Sequence, residues 1–194
     1  MSATTLGYAI LGLLARESLS GYDLTNRMRD RVGFFWEARH SQIYPELARL
    51  EEGRLVTHRV VEQQDRPDKK VYTITDAGFE ALKNWLVEPP VSRPTRDELV
   101  LKAYSLWLAD PKGALALFKK QERRQEKRLL RYEEIAAWME KEWGRDLKQI
   151  NSPRFASYAA LQRGISQERG YVDWCRWVVN RLEESVGGDD VGDG

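Results

Sequence analysis

Five closely spaced side chains carry the clearest chemistry in this 194-residue sequence: Arg39, His40, Ser41, Gln42 and Tyr44, a set that contains no carboxylate. Guanidinium, imidazole, hydroxyl and amide groups of this kind bond base edges and phosphates. Pro45 and Arg49 lie on the same face at helical spacing, while the acids Glu46, Glu51 and Glu52 come further along. A second cationic cluster, Arg66, Lys69 and Lys70, sits in a polar loop diluted by Asp65 and Asp68. Cations at a loop tip can rest on phosphates, each contact adding about 0.9 to the salt slope. An ordinary surface helix and a solvated loop tip are the plainer alternatives. Catalytic chemistry has no foothold, because no nucleophile elbow, phosphate loop or metal-ligand spacing is present. Cys175 is the single cysteine, and with only His40 and His58 beside it the chain is too poor in soft ligands for zinc. No enzyme activity, no cofactor and no metal are therefore expected.

The elements that must hold these residues can be read from periodicity. Leu6, Ala9, Ile10, Leu13 and Leu14 form the stripe of a first helix over 6–16. Ser20-Gly-Tyr-Asp23 places an acid three residues after a serine, a helix-start signal, and Tyr22, Leu24 and Met28 are expected to point inward from a second helix ending near Val32-Gly33. Ile43, Leu47 and Leu50 give the apolar face of a third helix. Proline is tolerated in a first turn, so Pro45 predicts a start at Ser41 or just after it. Residues 55–63 and 70–74, rich in Val, Thr, Ile and Tyr, predict a hairpin. Thr75 then caps a fourth helix, with Ile74 and Phe79 at the spacing of a hydrophobic staple and Leu82, Trp85 and Leu86 on its buried side. Three helices, two strands and a closing helix make the winged variant of the helix-turn-helix, which puts the start of its third helix into the major groove.

Three prolines between 89 and 94 predict a stiff connector. Beyond it the pattern is all helix. Thr95-Arg-Asp-Glu98 reads as a capping box for a short helix with Leu99, Ala103, Leu106 and Trp107. Asp110-Pro111 and Ser152-Pro153 each open a long one. Leu115, Phe118, Leu129, Tyr132 and Met139 on the first, and Tyr158, Leu161, Ile165, Val172, Val179 and Leu182 on the second, follow heptad seams. Two such seams offer more apolar surface than one hairpin covers, so the seam residues are expected to dimerise the chain. Gly164 and Gly170 fit close approach by a partner helix. The expected organisation is 1–88 winged helix, 89–94 connector, 95–186 helical dimerisation domain and 187–194 disordered tail, whose GGDDVGDG composition cannot offset the entropy of ordering.

Bulk properties narrow the class without deciding it. Hydrophobic residues make up 42% of the chain, enough for a folded core. The net charge of +1 says nothing about a polyanionic partner, so only local placement can. No apolar run approaches the roughly 18 residues of a membrane span, and the start lacks an export signal, so a cytoplasmic location is expected. The basic run Lys119, Lys120, Arg123, Arg124, Lys127, Arg128 and Arg131 fits a solvated helix face better than a contact with DNA flanks. Trp85, Trp107, Trp138, Trp143, Trp174 and Trp177 are expected in cores more than in a ligand pocket. Tyr104 and Trp107, near the connector, are the candidates for contact with a small effector.

The runs Leu11-Gly-Leu-Leu, Ser20-Gly-Tyr-Asp, Ser41-Gln-Ile-Tyr-Pro-Glu-Leu-Ala-Arg-Leu-Glu-Glu-Gly-Arg-Leu-Val and Val71-Tyr-Thr-Ile-Thr-Asp-Ala-Gly resemble the PadR family of bacterial transcriptional regulators, in order and spacing. The long helical C-terminal half resembles its larger subfamily. The resemblance implies a homodimeric repressor that binds an inverted repeat in double-stranded DNA and is often released by a small aromatic compound. By similarity, Ser41, Gln42, Tyr44 and Pro45 occupy the recognition-helix motif, Tyr22 the supporting helix, and Lys69 and Lys70 the wing. A protein-interaction adaptor that has lost DNA binding is the alternative from another class, and a ligand-independent architectural DNA binder is a third.

Overall fold

The structure is a computed structural model that describes residues 3–32, 40–62, 68–91 and 96–189. Arg39, Arg66, Thr95 and the last five residues fall outside the described residues, as does the side chain of His40. The chain divides into two compact units, Met1–Ser92 and Arg93–Gly194.

In the first unit the order is α1 (Thr5–Leu14), β1 (Leu19–Ser20), α2 (Gly21–Arg27) running into a π turn at Met28–Val32, α3 (His40–Glu52), β2 (Val56–Val61), β3 (Lys69–Ile74) and α4 (Asp76–Leu86). The winged helix-turn-helix is thus present. β1 was not expected; it pairs antiparallel with β3, making a three-stranded sheet in the order β1-β3-β2. Ile10, Leu11, Leu24, Ile43, Leu47 and Leu50 form the centre of the core. Fully burying each such side chain is worth about 1.5–3 kcal/mol. Three α3 residues belong to that set, so the burial of 43, 47 and 50 fixes which face of α3 points outward.

Local signals explain the element ends. Ser20 Oγ accepts from the Asp23 amide at 3.1 Å and Asp23 reaches back to the Ser20 amide, a complete capping box. Thr75 caps α4 by accepting from the Gly78 amide and donates to the Arg54 carbonyl at 2.8 Å. α3 closes in a Schellman pattern, with the Leu55 amide donating to the Leu50 carbonyl and the Arg54 amide to the Glu51 carbonyl. The left-handed residue there is Arg54, at φ +57°, and not the neighbouring Gly53. Three expectations need correction in this unit. Pro45 sits in the second turn of α3, because the helix already runs from His40; a proline there removes the bond a residue-45 amide would give the Ser41 carbonyl. Tyr22 is 66% exposed rather than inward, while Leu24 and, just past the end of α2, Met28 are buried in the core. Leu86, in the last turn of α4, is exposed as well, while Trp85 stacks on Tyr8 at 4.6 Å.

In the second unit α5 (Glu98–Tyr104) leads through a 3-10 turn at Leu106–Leu108 to α6 (Pro111–Trp143), and a turn at Gly144–Lys148 returns the chain as α7 (Pro153–Asp189). Asp97 caps α5, accepting from the amides of Leu99 and Val100, so the expected box one residue pair earlier is displaced. Asp110 accepts from the Gly113 amide at 2.7 Å to start α6. α7 runs through Asp189, past the expected start of the disordered tail at 187.

The heptad seams pack within the chain. α6 and α7 lie antiparallel: Lys119 pairs with Glu183, Glu122 with Arg176 and Arg128 with Glu168, one number falling as the other rises. Phe118, Tyr132, Leu161, Ile165, Val172 and Val179 are buried between them in a single chain, with Leu115, Leu129, Met139, Tyr158 and Leu182 partly buried. Within one chain the two seams face each other, and the partly buried members keep some apolar surface. Within the chain a Cβ at Gly170 would meet nothing within 4 Å.

Candidate nucleic-acid interface

Burying Ile43, Leu47 and Leu50 turns Ser41, Gln42, Tyr44, Pro45 and Arg49 outward. Tyr44 is 47% exposed, and its ring lies across α2 at Gly21, where a Cβ would stand 2.5 Å from Tyr44 Cε1. Gly21 is therefore the residue that admits the ring. Tyr22, next to it, is also exposed, so two phenol-bearing side chains and the polar start of α3 are all surface residues of the first unit.

Behind this surface α3 carries a charge that sequence reasoning passed over. Glu46 is only 4% exposed, accepting from Thr4 Oγ1 at 2.7 Å and pairing with Arg49 Nη1 at 3.4 Å. Gly7 makes room for it, a Cβ there falling 2.6 Å from Glu46 Oε1. The periodicity did signal this, because position 46 lies between 43, 47 and 50 on the buried side. The Arg49 guanidinium remains largely exposed, held by an acid beneath it.

The wing is tied to the helices at two points. Lys69 Nζ pairs with Asp23 at 2.9 Å, so the lysine expected to touch phosphate is already engaged with the α2 capping box. Lys69 and Ser20 together hold the Asp23 carboxyl below its ordinary range. On the other strand, His58 bonds Glu51 and stacks obliquely on Tyr72 at 5.5 Å, its partner in register. Burial, with the negative charge of Glu51 and the nearby Tyr44, pushes the Tyr72 phenol up. Lys70 is exposed. Arg39 and Arg66 lie outside the described residues.

Tyr104 and Trp107 are 85% and 82% exposed, on the surface of the second unit with Leu101 and Leu108. The other tryptophans divide: Trp174 packs edge-on against Phe118 and Tyr171, whereas Trp138 and Trp177 are exposed. Among the described residues no group of three His, Cys, Asp or Glu is placed to hold a metal, and no helix is long and apolar enough to cross a membrane.

This arrangement can present hydrogen-bonding groups to a groove and cations to a backbone. Residues 10–84 match the model of the transcriptional regulator PadR-like family, and residues 95–183 match that of the virulence activator alpha C-terminal region. The negative transcriptional regulator PadR of Bacillus subtilis is 36% identical over 92% of this chain and 98% of its own. The crystal structure of that organism's PadR in complex with operator DNA superposes with a TM-score of 0.81 at 34% identity, covering 92% of this chain and 99% of the other. Its complex with p-coumaric acid gives 0.77 at 33%, covering 93% and 99%. A relative this similar over nearly the whole length of both sequences places the protein in a family: the chain belongs to the PadR-like transcriptional regulators.

Proposed function

We propose that this regulator is a homodimeric repressor that reads an inverted-repeat operator through Ser41, Gln42 and Tyr44 of α3, with Pro45, Arg49 and Tyr22 beside them and Lys70 of the wing at the backbone. The observation that carries the reading is the outward polar face of α3, with the Tyr44 ring seated over Gly21. The similar protein of Bacillus subtilis is a negative regulator and binds operator DNA, which supports it. Lys69 contributes through Asp23, fixing the wing against α2, more than as a free phosphate contact. Two reading heads related by a dyad require half-sites spaced by a turn of DNA, about 10 bp, or a multiple. Such a regulator acts in the cytoplasm and performs no catalysis of its own.

A small aromatic acid is the effector we propose, because a solved relative holds p-coumaric acid. Tyr104 and Trp107 are too exposed to enclose a ligand alone and can serve only where an assembly covers them. The test is a gel shift on the upstream intergenic duplex. Tyr44→Ala should weaken binding at least tenfold, the loss of about 1.4 kcal/mol or more that a base or phosphate contact provides. p-Coumaric acid should release the wild-type complex. Full binding by Tyr44→Ala would remove that residue from the reading surface.

A further inference from the structure

We infer that the outer face of α6 is a second binding surface for double-stranded DNA, separate from the winged helix. This rests on the DNA-binding reading above but on different residues. The basic run of α6 divides in the structure. Lys119 and Arg128 are drawn sideways into pairs with Glu183 and Glu168 of α7. Lys120, Arg123, Arg124, Lys127 and Arg131 are all exposed, and among the described residues none of these five has a carboxylate partner.

Helical geometry places these five together. At about 100° per residue they fall within an arc of about 100°, opposite the side on which Phe118, Leu129 and Tyr132 meet α7. No acid of α6 between 120 and 131 enters that arc, because Glu122 and Glu126 both turn to Arg176. Glu134 closes the stripe at its far end. Five cations along about 16 Å of helix give one charge per roughly 4 Å, close to the one phosphate per 3.4 Å of a single DNA strand. Like charges at i, i+4, as in Lys120 with Arg124 and Lys127 with Arg131, oppose the helix they sit on, and a phosphate array relieves that repulsion.

Other occupants fit less well. A second copy meeting this face across a dyad would set stripe against stripe, since a two-fold contact uses the same patch on both subunits. A membrane surface calls for a continuous apolar face beside the basic one, and α6 exposes only the separated Leu130 and Trp138, its other large apolar residues being buried or partly buried.

The test uses the full-length chain with Arg123→Gln, Arg124→Gln, Lys127→Gln and Arg131→Gln combined. Two 60-bp duplexes serve as probes, one from the upstream intergenic region and one of scrambled sequence, titrated between about 50 and 200 mM salt. Expected is a shallower salt slope on both duplexes, by about 0.9 for each phosphate contact removed, with the preference between them unchanged. Circular dichroism should show undiminished helix. An unchanged slope on both duplexes overturns the inference, as does loss of binding to phosphatidylserine vesicles while the DNA slope stays the same. Failure of the operator reading looks different: the wild type would show no preference between the duplexes, and Tyr44→Ala would change nothing, while the slope difference persisted.

Discussion

Gly21 and Tyr44 show how one backbone position shapes the proposed reading surface. The phenol ring occupies the space a side chain at residue 21 would need, yet it is the far end of a flexible chain. Gly21→Ala should therefore leave the fold standing and displace the ring. Stability should be unchanged or rise by up to about 1 kcal/mol, because alanine restricts the unfolded chain, while operator affinity falls several-fold. Thermal melting and a gel shift on one preparation check both halves, and parallel losses in the two would mean that Gly21 serves folding alone. The sequence displayed Ser41, Gln42 and Tyr44 plainly, since an acid-free polar run opposite an apolar stripe is legible from spacing. It did not display the Tyr44–Gly21 contact, the Thr4–Glu46 bond or the Lys69–Asp23 pair, all of which join residues remote in the chain.

Among the elements, those whose ends carry capping chemistry were the most legible. Ser20, Thr75 and Asp110 each accept the amide their spacing foretold. β1 was invisible because two residues offer no alternation to read. The turn after α3 misled in a finer way: Gly53 draws the eye, but the left-handed position falls one residue later on Arg54. Arg54→Gly should accordingly stabilise the first unit by about 0.5–1 kcal/mol, since glycine occupies that region without steric cost. Denaturant midpoints measure this, and a fall would show that the arginine side chain offsets its own strain. The seams on α6 and α7 meet each other within one hairpin. Cys175 lies fully buried in that contact, and burial, aided by the carboxylates of Glu122 and Asp97, pushes its thiol up to about 11. A folded-state value above the unfolded one means that stability is intact below about pH 9 and is lost as pH rises toward 11. Burial and the Asp97 bond push the Tyr171 phenol up in the same sense. Melting temperatures at pH 8, 9.5 and 11 should fall in that window, and less so in Cys175→Ala; equal falls would assign the alkaline loss to other groups.

For the molecule as a whole, the seams bury much of each other within one chain, and exposed apolar residues on another segment are further candidates for the contact between copies. Phe118, Leu161, Ile165 and Val172 hold the hairpin of one chain together, so truncating them should lower stability before it alters assembly. Val100, Leu101, Tyr104, Trp107 and Leu108 remain exposed on consecutive turns of α5 and the segment after it. Exposed apolar residues grouped this closely in sequence are a usual mark of an interaction surface. A homodimer needs a self-complementary patch, and this one is apolar, whereas the outer face of α6 is uniformly cationic and repels its own copy. Replacing Leu101 and Leu108 with glutamate should cost little in the isolated chain, where both side chains already face water, and should convert a sedimenting dimer to a monomer at micromolar concentration. Operator affinity should fall with it, because two reading heads on one particle bind far more tightly than either alone. A variant that stays dimeric would place the contact on another surface. A variant that becomes monomeric yet binds the operator undiminished would separate dimerisation from DNA reading altogether.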